Sequence, residues 1–142
     1  MNSIRRELEH QGIEHEGGED DPGWGSARDP LRMEDFENYP LDPRVQAVVV
    51  GLDTQFSYGK LAIASLYVNS GGARFIATND DPFDIVNGRI QPGAGAMVQA
   101  IQYSLDETKL GKERCTPEVV GKPNPYAIEL ICQEHNIRDK KR

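Results

Sequence analysis

The sequence predicts an α/β domain, a mostly parallel sheet flanked by helices, and three observations carry that prediction. Val45 to Val50 is a near-continuous β-branched run, and "ARFIATN", Ala73 to Asn79, is a second. Between them "YGKLAIASLYV" has helical spacing and the length that a right-handed crossover between parallel strands requires.

Each element follows in chain order. Near the start, "NSIRRELEHQGIEH" offers Ser3 as an N-cap, Ile4 and Leu8 one turn apart, and Gly12 followed by Ile13, which predicts a Schellman ending with Ile13 folded back on Leu8. So short a helix, with one narrow apolar edge, needs a partner surface. Glu14 to Pro43 is acidic and broken by glycine and proline, so a long loop is expected, ordered where Leu31, Met33, Phe36, Tyr39 and Leu41 reach the core. Trp24, between two glycines, reads as a loop anchor before a binding platform. "VQAVVVGLD" reads as a central strand buried on both faces. Ser57 then caps a helix whose expected buried face is Leu61, Ala62, Ser65, Leu66 and Val68, and "NSGG" ends it. After the second strand come a turn-rich piece, a short "GRI" strand, and a helix opened by Gly95 with Met97, Val98, Ile101 and Leu105 on one side. "PEVVG" is the expected third main strand. "NPYAIELICQEHNI" starts a last helix, with Asn124 as N-cap, Pro125 at the first helical position, and an apolar stripe of Ile128, Ile131 and Cys132.

Composition narrows the function classes. The 142 residues suit one ordinary domain, and the formal charge of −7, from 16 basic against 23 acidic residues, argues against nucleic acid or an anionic membrane as partner. No apolar run has the length of a membrane span, and "MNSIRRELEH" lacks the apolar core of a signal peptide, so a soluble cytoplasmic protein is expected. Cys115 and Cys132 have no companions at metal-ligand spacing and read as free thiols.

Few residues announce chemistry. His10, His15 and His135 sit in acidic, helical or terminal surroundings and read as solvated surface rather than as bases beside a nucleophile. "PGAGAM" has glycines ahead of a helix but lacks the full phosphate-loop pattern and its lysine, so it reads as a helix-opening turn. Asn79, Asp80, Asp81 and Asp84 in "TNDDPFD" are oxygen ligands of the kind calcium or magnesium takes, but not at EF-hand spacing, and a strand-terminating turn explains them better. In "VVGKPNP" a lysine, Lys122, follows a β-run between Gly121 and Pro123, a place where a solvated turn residue is the ordinary reading.

The order of these pieces matters more than any one of them. "VQAVVVGLDTQFSYGKLAIASLYV", "FIATNDD", "GRIQPGAGAMVQAI" and "VVGKPNP", in that sequence and at those spacings, resemble the 4-nitrophenylphosphatase and phosphoglycolate phosphatase branch of the haloacid dehalogenase-like hydrolases. "IRRELEHQGIEHEGG" is similar to that family's segment at the entrance to its cap, so the resemblance covers most of the chain.

The resemblance implies a site and also its incompleteness. It makes Lys122 the match of a catalytic lysine at the end of a core strand, beside an aspartate nucleophile and a magnesium ion, where a cation offsets the charge gathered in phosphoryl transfer. It implies a cap-like α/β domain over 1–120, with the acidic loop at 14–43, and a fragment of the Rossmann-like hydrolase core over 121–142. The family's Asp-x-Asp motif and the acidic segment that holds its magnesium have no counterpart here, and the chain stops at "DKKR", about where the next core strand would begin. The expectation is therefore a truncated phosphatase, represented by its substrate-selecting cap and Lys122, with a small phosphomonoester as substrate of the whole enzyme. Magnesium is implied as cofactor but without ligands in this chain. The alternative is a non-catalytic binding or dimerisation module, since caps of this family form homodimer contacts. No substrate-binding residue can be named from the sequence.

Overall fold

The computed structural model describes residues 3–17, 32–121 and 124–137. Three strands, β1 (Ala47–Val50), β2 (Arg74–Ala77) and β5 (Glu118–Val119), form a parallel sheet in the order β1-β2-β5. Val48 lies opposite Phe75 and Val50 opposite Ala77, and the β2–β5 register sets Ala77 beside Val119. The parallel β1–β2 unit is the one that the two β-branched runs predict, with helix α3 (Tyr58–Leu66) as crossover.

One face of this sheet holds the core. Val48, Val50, Phe75 and Ala77 cluster with Ile63 and Ala64 of α3, with Tyr67 and Val68 of the π-helical turn that continues it (Tyr67–Gly71), with Val98 and Ile101 of α4 (Ala94–Tyr103) and Leu105 just beyond it, and with Cys115 of α6 (Lys112–Cys115). Ile63, Val98 and Ile101 are almost wholly removed from water, and each contributes roughly 1.5–3 kcal/mol by burial. The expected face of α3 is shifted. Ile63, Ala64 and Tyr67 are buried where Leu61, Ala62 and Leu66 were expected, and the latter are half-buried. The expected face of α4 holds.

β1 corrects the sequence reading. It is an edge strand of the described sheet, with Val49 39% exposed, because β2 lies between it and β5. Only its even-numbered side chains are buried, so the valine run fills one face rather than two. The third strand is also shorter than expected, at two residues.

The short strand expected at "GRI" is present, but the hairpin to which it belongs went unread in the sequence. β3 (Phe83–Val86) and β4 (Arg89–Pro92) pair antiparallel around Asn87 and Gly88, both at positive φ (51° and 74°), the two-residue turn that Asn-Gly favours. Short helices α2 (Met33–Glu37) and α5 (Glu107–Leu110) complete the described elements between the terminal helices. Phe36, Tyr39 and Leu41 pack on the core as expected, whereas Met33 is exposed; Trp24 and Leu31 lie outside the described residues.

Helix α1 (Ser3–His10) begins at Ser3 itself and ends in the expected Schellman motif. Gly12 N–H donates to Glu9 O at 3.0 Å, Ile13 N–H to Leu8 O at 2.9 Å, and Gly12 takes φ 68°. Its partner surface is the carboxyl end of the sheet, where a Cβ on Gly51 would stand 2.7 Å from Ile4 Cδ1. At the other terminus, α7 (Tyr126–Glu134) buries none of its residues, and Ile128 and Ile131 are 62% and 51% exposed. The α7 start is one residue later than expected: Asn124 Oδ1 accepts the Tyr126 N–H at 2.9 Å, and Pro125 precedes the helix.

Candidate functional site at the carboxyl ends of the strands

In open α/β sheets ligands gather outside the carboxyl ends of the strands, and three segments converge there: Gly51–Asp53 after β1, Thr78–Asp81 after β2, and Val120–Gly121 after β5. The ladder carries into them, with Thr78 N–H on Val50 O at 2.8 Å and Val120 N–H on Ala77 O at 3.0 Å. Gly121 is packed so closely that a Cβ would fall 1.8 Å from Thr78 O, a contact only glycine permits.

Asp53 organises the turn after β1. Its Oδ1 accepts the Gln55 N–H at 2.8 Å, its Oδ2 takes Lys60 Nζ at 2.6 Å, its carbonyl accepts the Phe56 N–H at 3.1 Å, and its own N–H lies on Met97 Sδ at 3.2 Å. Ser57 then caps α3 by accepting the Lys60 N–H at 3.3 Å. The Lys60 side chain is only 11% exposed and that of Asp53 28%, so the ion pair is partly withdrawn from water. These bonds hold residues 52–56 as a fixed loop presenting Leu52, Thr54 and Gln55 to solvent. Sequence reasoning missed this pair; the signal was an Asp-Thr-Gln turn ahead of a serine N-cap, with a lysine on an otherwise apolar helix.

The turn after β2 closes against α4. Asp81 N–H donates to Asn79 Oδ1 at 3.3 Å, Gly95 N–H to Asp81 O at 2.9 Å, and Gly93 N–H to Pro82 O at 3.1 Å. The amide groups that would cradle a phosphate at the start of α4 are thus taken by backbone carbonyls, in keeping with a helix-opening turn. Asp84 is carried away on the hairpin. Among the described residues no three His, Cys, Asp or Glu side chains come together to hold a metal ion, so they do not fit a magnesium site.

Lys122 lies outside the described residues, together with Pro123. Its flanks are placed: Asn124 Nδ2 donates to Val119 O at 2.7 Å and Asn124 N–H to Gly121 O at 2.7 Å, closing the chain on itself after β5. The histidines are elsewhere. His15 Nε2 stands 3.4 Å from Glu9 Oε1, His10 ends α1 and His135 follows α7. Both cysteines are free; Cys115 is buried, and burial raises its thiol pKa, with Glu107 and Asp106 adding to the effect. No described helix is long and apolar enough to cross a membrane.

No family model matches the chain. Curated relatives do. It is 32% identical over 121 residues to the human glycerol-3-phosphate phosphatase, covering 82% of this chain and 35% of that protein. It is 33% identical over 138 residues to a 4-nitrophenylphosphatase of Schizosaccharomyces pombe, covering 97% of this chain and 42% of that one. The chain therefore spans roughly a third to two-fifths of the length of these relatives. Among solved structures, a 4-nitrophenylphosphatase from Thermotoga maritima matches 96% of this chain and 40% of its own with a TM-score of 0.61 at 22% identity, a likeness of fold alone. A glycerol phosphate phosphatase from Mycobacterium tuberculosis, solved with magnesium, matches 76% of this chain and 28% of its own, with a TM-score of 0.52 at 31% identity.

Proposed function

The chain belongs to the 4-nitrophenylphosphatase branch of the haloacid dehalogenase-like hydrolases, and from that membership we propose that it is the substrate-selecting cap of a cytoplasmic phosphomonoester phosphatase, followed from residue 121 by the start of the hydrolase core. The observation that carries the reading is the carboxyl edge of the sheet, where a fixed loop at 52–56, the 78–81 turn and Gly121, which Asn124 closes onto, converge. A lid of this kind excludes water from a phosphoryl group and reads the organic part of the substrate. Lys122 contributes a cation, which stabilises charge developing on phosphoryl oxygens. The substrate class is a small phosphomonoester of the phosphoglycolate or 4-nitrophenyl phosphate type.

A lysine alone does not transfer a phosphoryl group. The sequence holds no Asp-x-Asp pair to supply nucleophile and general acid, and the described residues assemble no metal site, so no step through a metal ion is assigned to this chain. In the whole enzyme a divalent ion would neutralise the phosphoryl oxygens. This polypeptide by itself is expected to leave 4-nitrophenyl phosphate unhydrolysed in excess magnesium, at the rate of buffer. Magnesium-dependent turnover well above buffer that vanishes in Lys122→Ala would overturn the reading and require a nucleophile within these residues.

A further inference from the structure

The sheet is incomplete at the amino end of β2, the end opposite the candidate site. Ala77 O accepts the Val120 N–H at 3.0 Å, so the odd-numbered residues of β2 turn their polar groups toward β5. Phe75 lies two residues earlier and turns the same way, but β5 starts only at Glu118, opposite Ile76, because the chain shortly before it is coiled into α6. No acceptor among the described residues meets the Phe75 N–H. Phe75 lines instead a groove of about 510 Å³ between β2 and the α6–β5 connection, within the range of about 300–1,000 Å³ for sites that hold small organic ligands. Arg114 is the uncommitted cation of this groove. Its Nη2 would stand 3.7 Å from a Cβ on Gly72, so the guanidinium lies against that backbone, and among the described residues it has no ion pair. The second arginine, Arg74, is engaged by Glu118.

We propose that this groove binds a small organic monocarboxylate, whose oxygens take the Arg114 guanidinium and the Phe75 N–H while its apolar body rests on Pro117 and the stem of Arg74. Charge decides for a carboxylate over a phosphate. Glu113 and Glu118 also line the groove, and with Arg74 held by Glu118 the one uncommitted guanidinium is set against one carboxylate. That balance admits a single negative charge, whereas a dianion meets repulsion from Glu113. A planar carboxylate also matches the fork of a guanidinium, which a lysine would not offer. A neutral amide can satisfy the Phe75 N–H but leaves Arg114 in water, so charge and hydrogen bond act together only for the acid. The groove lies at the other end of the strands from residues 52–56, 78–81 and 121, so the proposal does not depend on the phosphatase reading, and a failed hydrolysis prediction leaves it standing.

Benzoate is the probe, with inorganic phosphate and benzamide as its dianionic and neutral counterparts, each titrated in mildly alkaline buffer into the full chain while backbone amides are followed by NMR. Benzoate is expected to move the Phe75 amide saturably, with a dissociation constant on the order of 1 mM, and phosphate and benzamide to bind at least about tenfold more weakly. Arg114→Gln removes the charge and the fork from an exposed side chain, and should weaken benzoate by about tenfold or more. Lys109→Gln removes an exposed cation outside the groove and should leave the affinity unchanged, which separates a local contact from net charge. Should Arg114→Gln fail to fold, as read by circular dichroism, the wild-type contrast between benzoate and its two counterparts at the Phe75 amide decides alone. A Phe75 amide unmoved by benzoate, phosphate or benzamide binding as tightly, or an Arg114→Gln chain of equal affinity would each overturn the proposal. So would shifts confined to residues 78–81, which would put benzoate at the carboxyl ends of the strands instead.

Discussion

Gly95→Ala sets two effects of opposite sign against each other at the centre of the candidate site. Gly95 lies in the first turn of α4, where helix propensity alone favours alanine by about 1 kcal/mol. Sterics oppose it. A Cβ there would stand 2.4 Å from Asp80 O and 2.8 Å from Asp81 O, both backbone atoms that cannot rotate away. Restoring ordinary contact moves the turn or the helix by about 1 Å, which takes the 2.9 Å bond from Gly95 N–H to Asp81 O out of range. Leaving those buried groups unpaired costs about 1–3 kcal/mol, and forcing Val98 and Ile101 to repack behind them costs a comparable amount. The net expectation is destabilisation by about 1–4 kcal/mol, a large part of a typical folding free energy of about 5–15 kcal/mol. In urea, where the slope for small proteins is about 1–3 kcal/mol per molar, the midpoint should fall by on the order of 1 M with the slope unchanged. Gln99→Ala, exposed on the same helix, is the control and should move it little. A Gly95→Ala midpoint equal to or above that of the wild type would refute the reasoning, because propensity would have outweighed the close approach.

Three further outcomes follow from single groups. Tyr67 has its phenol pushed from 10.0 to about 12, chiefly by burial and then by its hydrogen bond to Glu16. Its folded pKa is raised, so the associated stability is complete below pH 10 and is lost as pH climbs through about 12; denaturant midpoints across that range should fall less steeply in Tyr67→Phe, and identical slopes would contradict this. The buried Cys115, with its raised pKa, should react with a thiol reagent far more slowly than the half-buried Cys132 in the native chain, and equal rates, followed by mass spectrometry, would count against the fold around α6. Lys60→Met leaves Asp53 partly buried without its cation, and should lower stability by roughly 1–3 kcal/mol and speed amide exchange at Gln55 and Phe56; an unchanged exchange rate there would mean that the ion pair does not hold the loop.

Local instructions were legible in the amino-acid sequence because they act over a few residues. Gly12 ends α1 since it alone takes positive φ there without strain, Ser57 caps α3, and the two β-branched runs with a helix between them dictate a parallel pair. Asn87-Gly88 was equally local, a hairpin turn written in two residues. Tertiary structure decided what depends on partners distant in the chain. A run of valines states that a strand is apolar but not where it stands in the sheet, and only the placement of β2 between β1 and β5 left Val49 open at an edge. Likewise the shifted face of α3, the Asp53–Lys60 pair and the contact of Gly121 with Thr78 arise from elements meeting across the fold. Sequence periodicity constrains which side chains share a face, whereas the energy of burying that face depends on what packs against it, and that is set by three-dimensional contact.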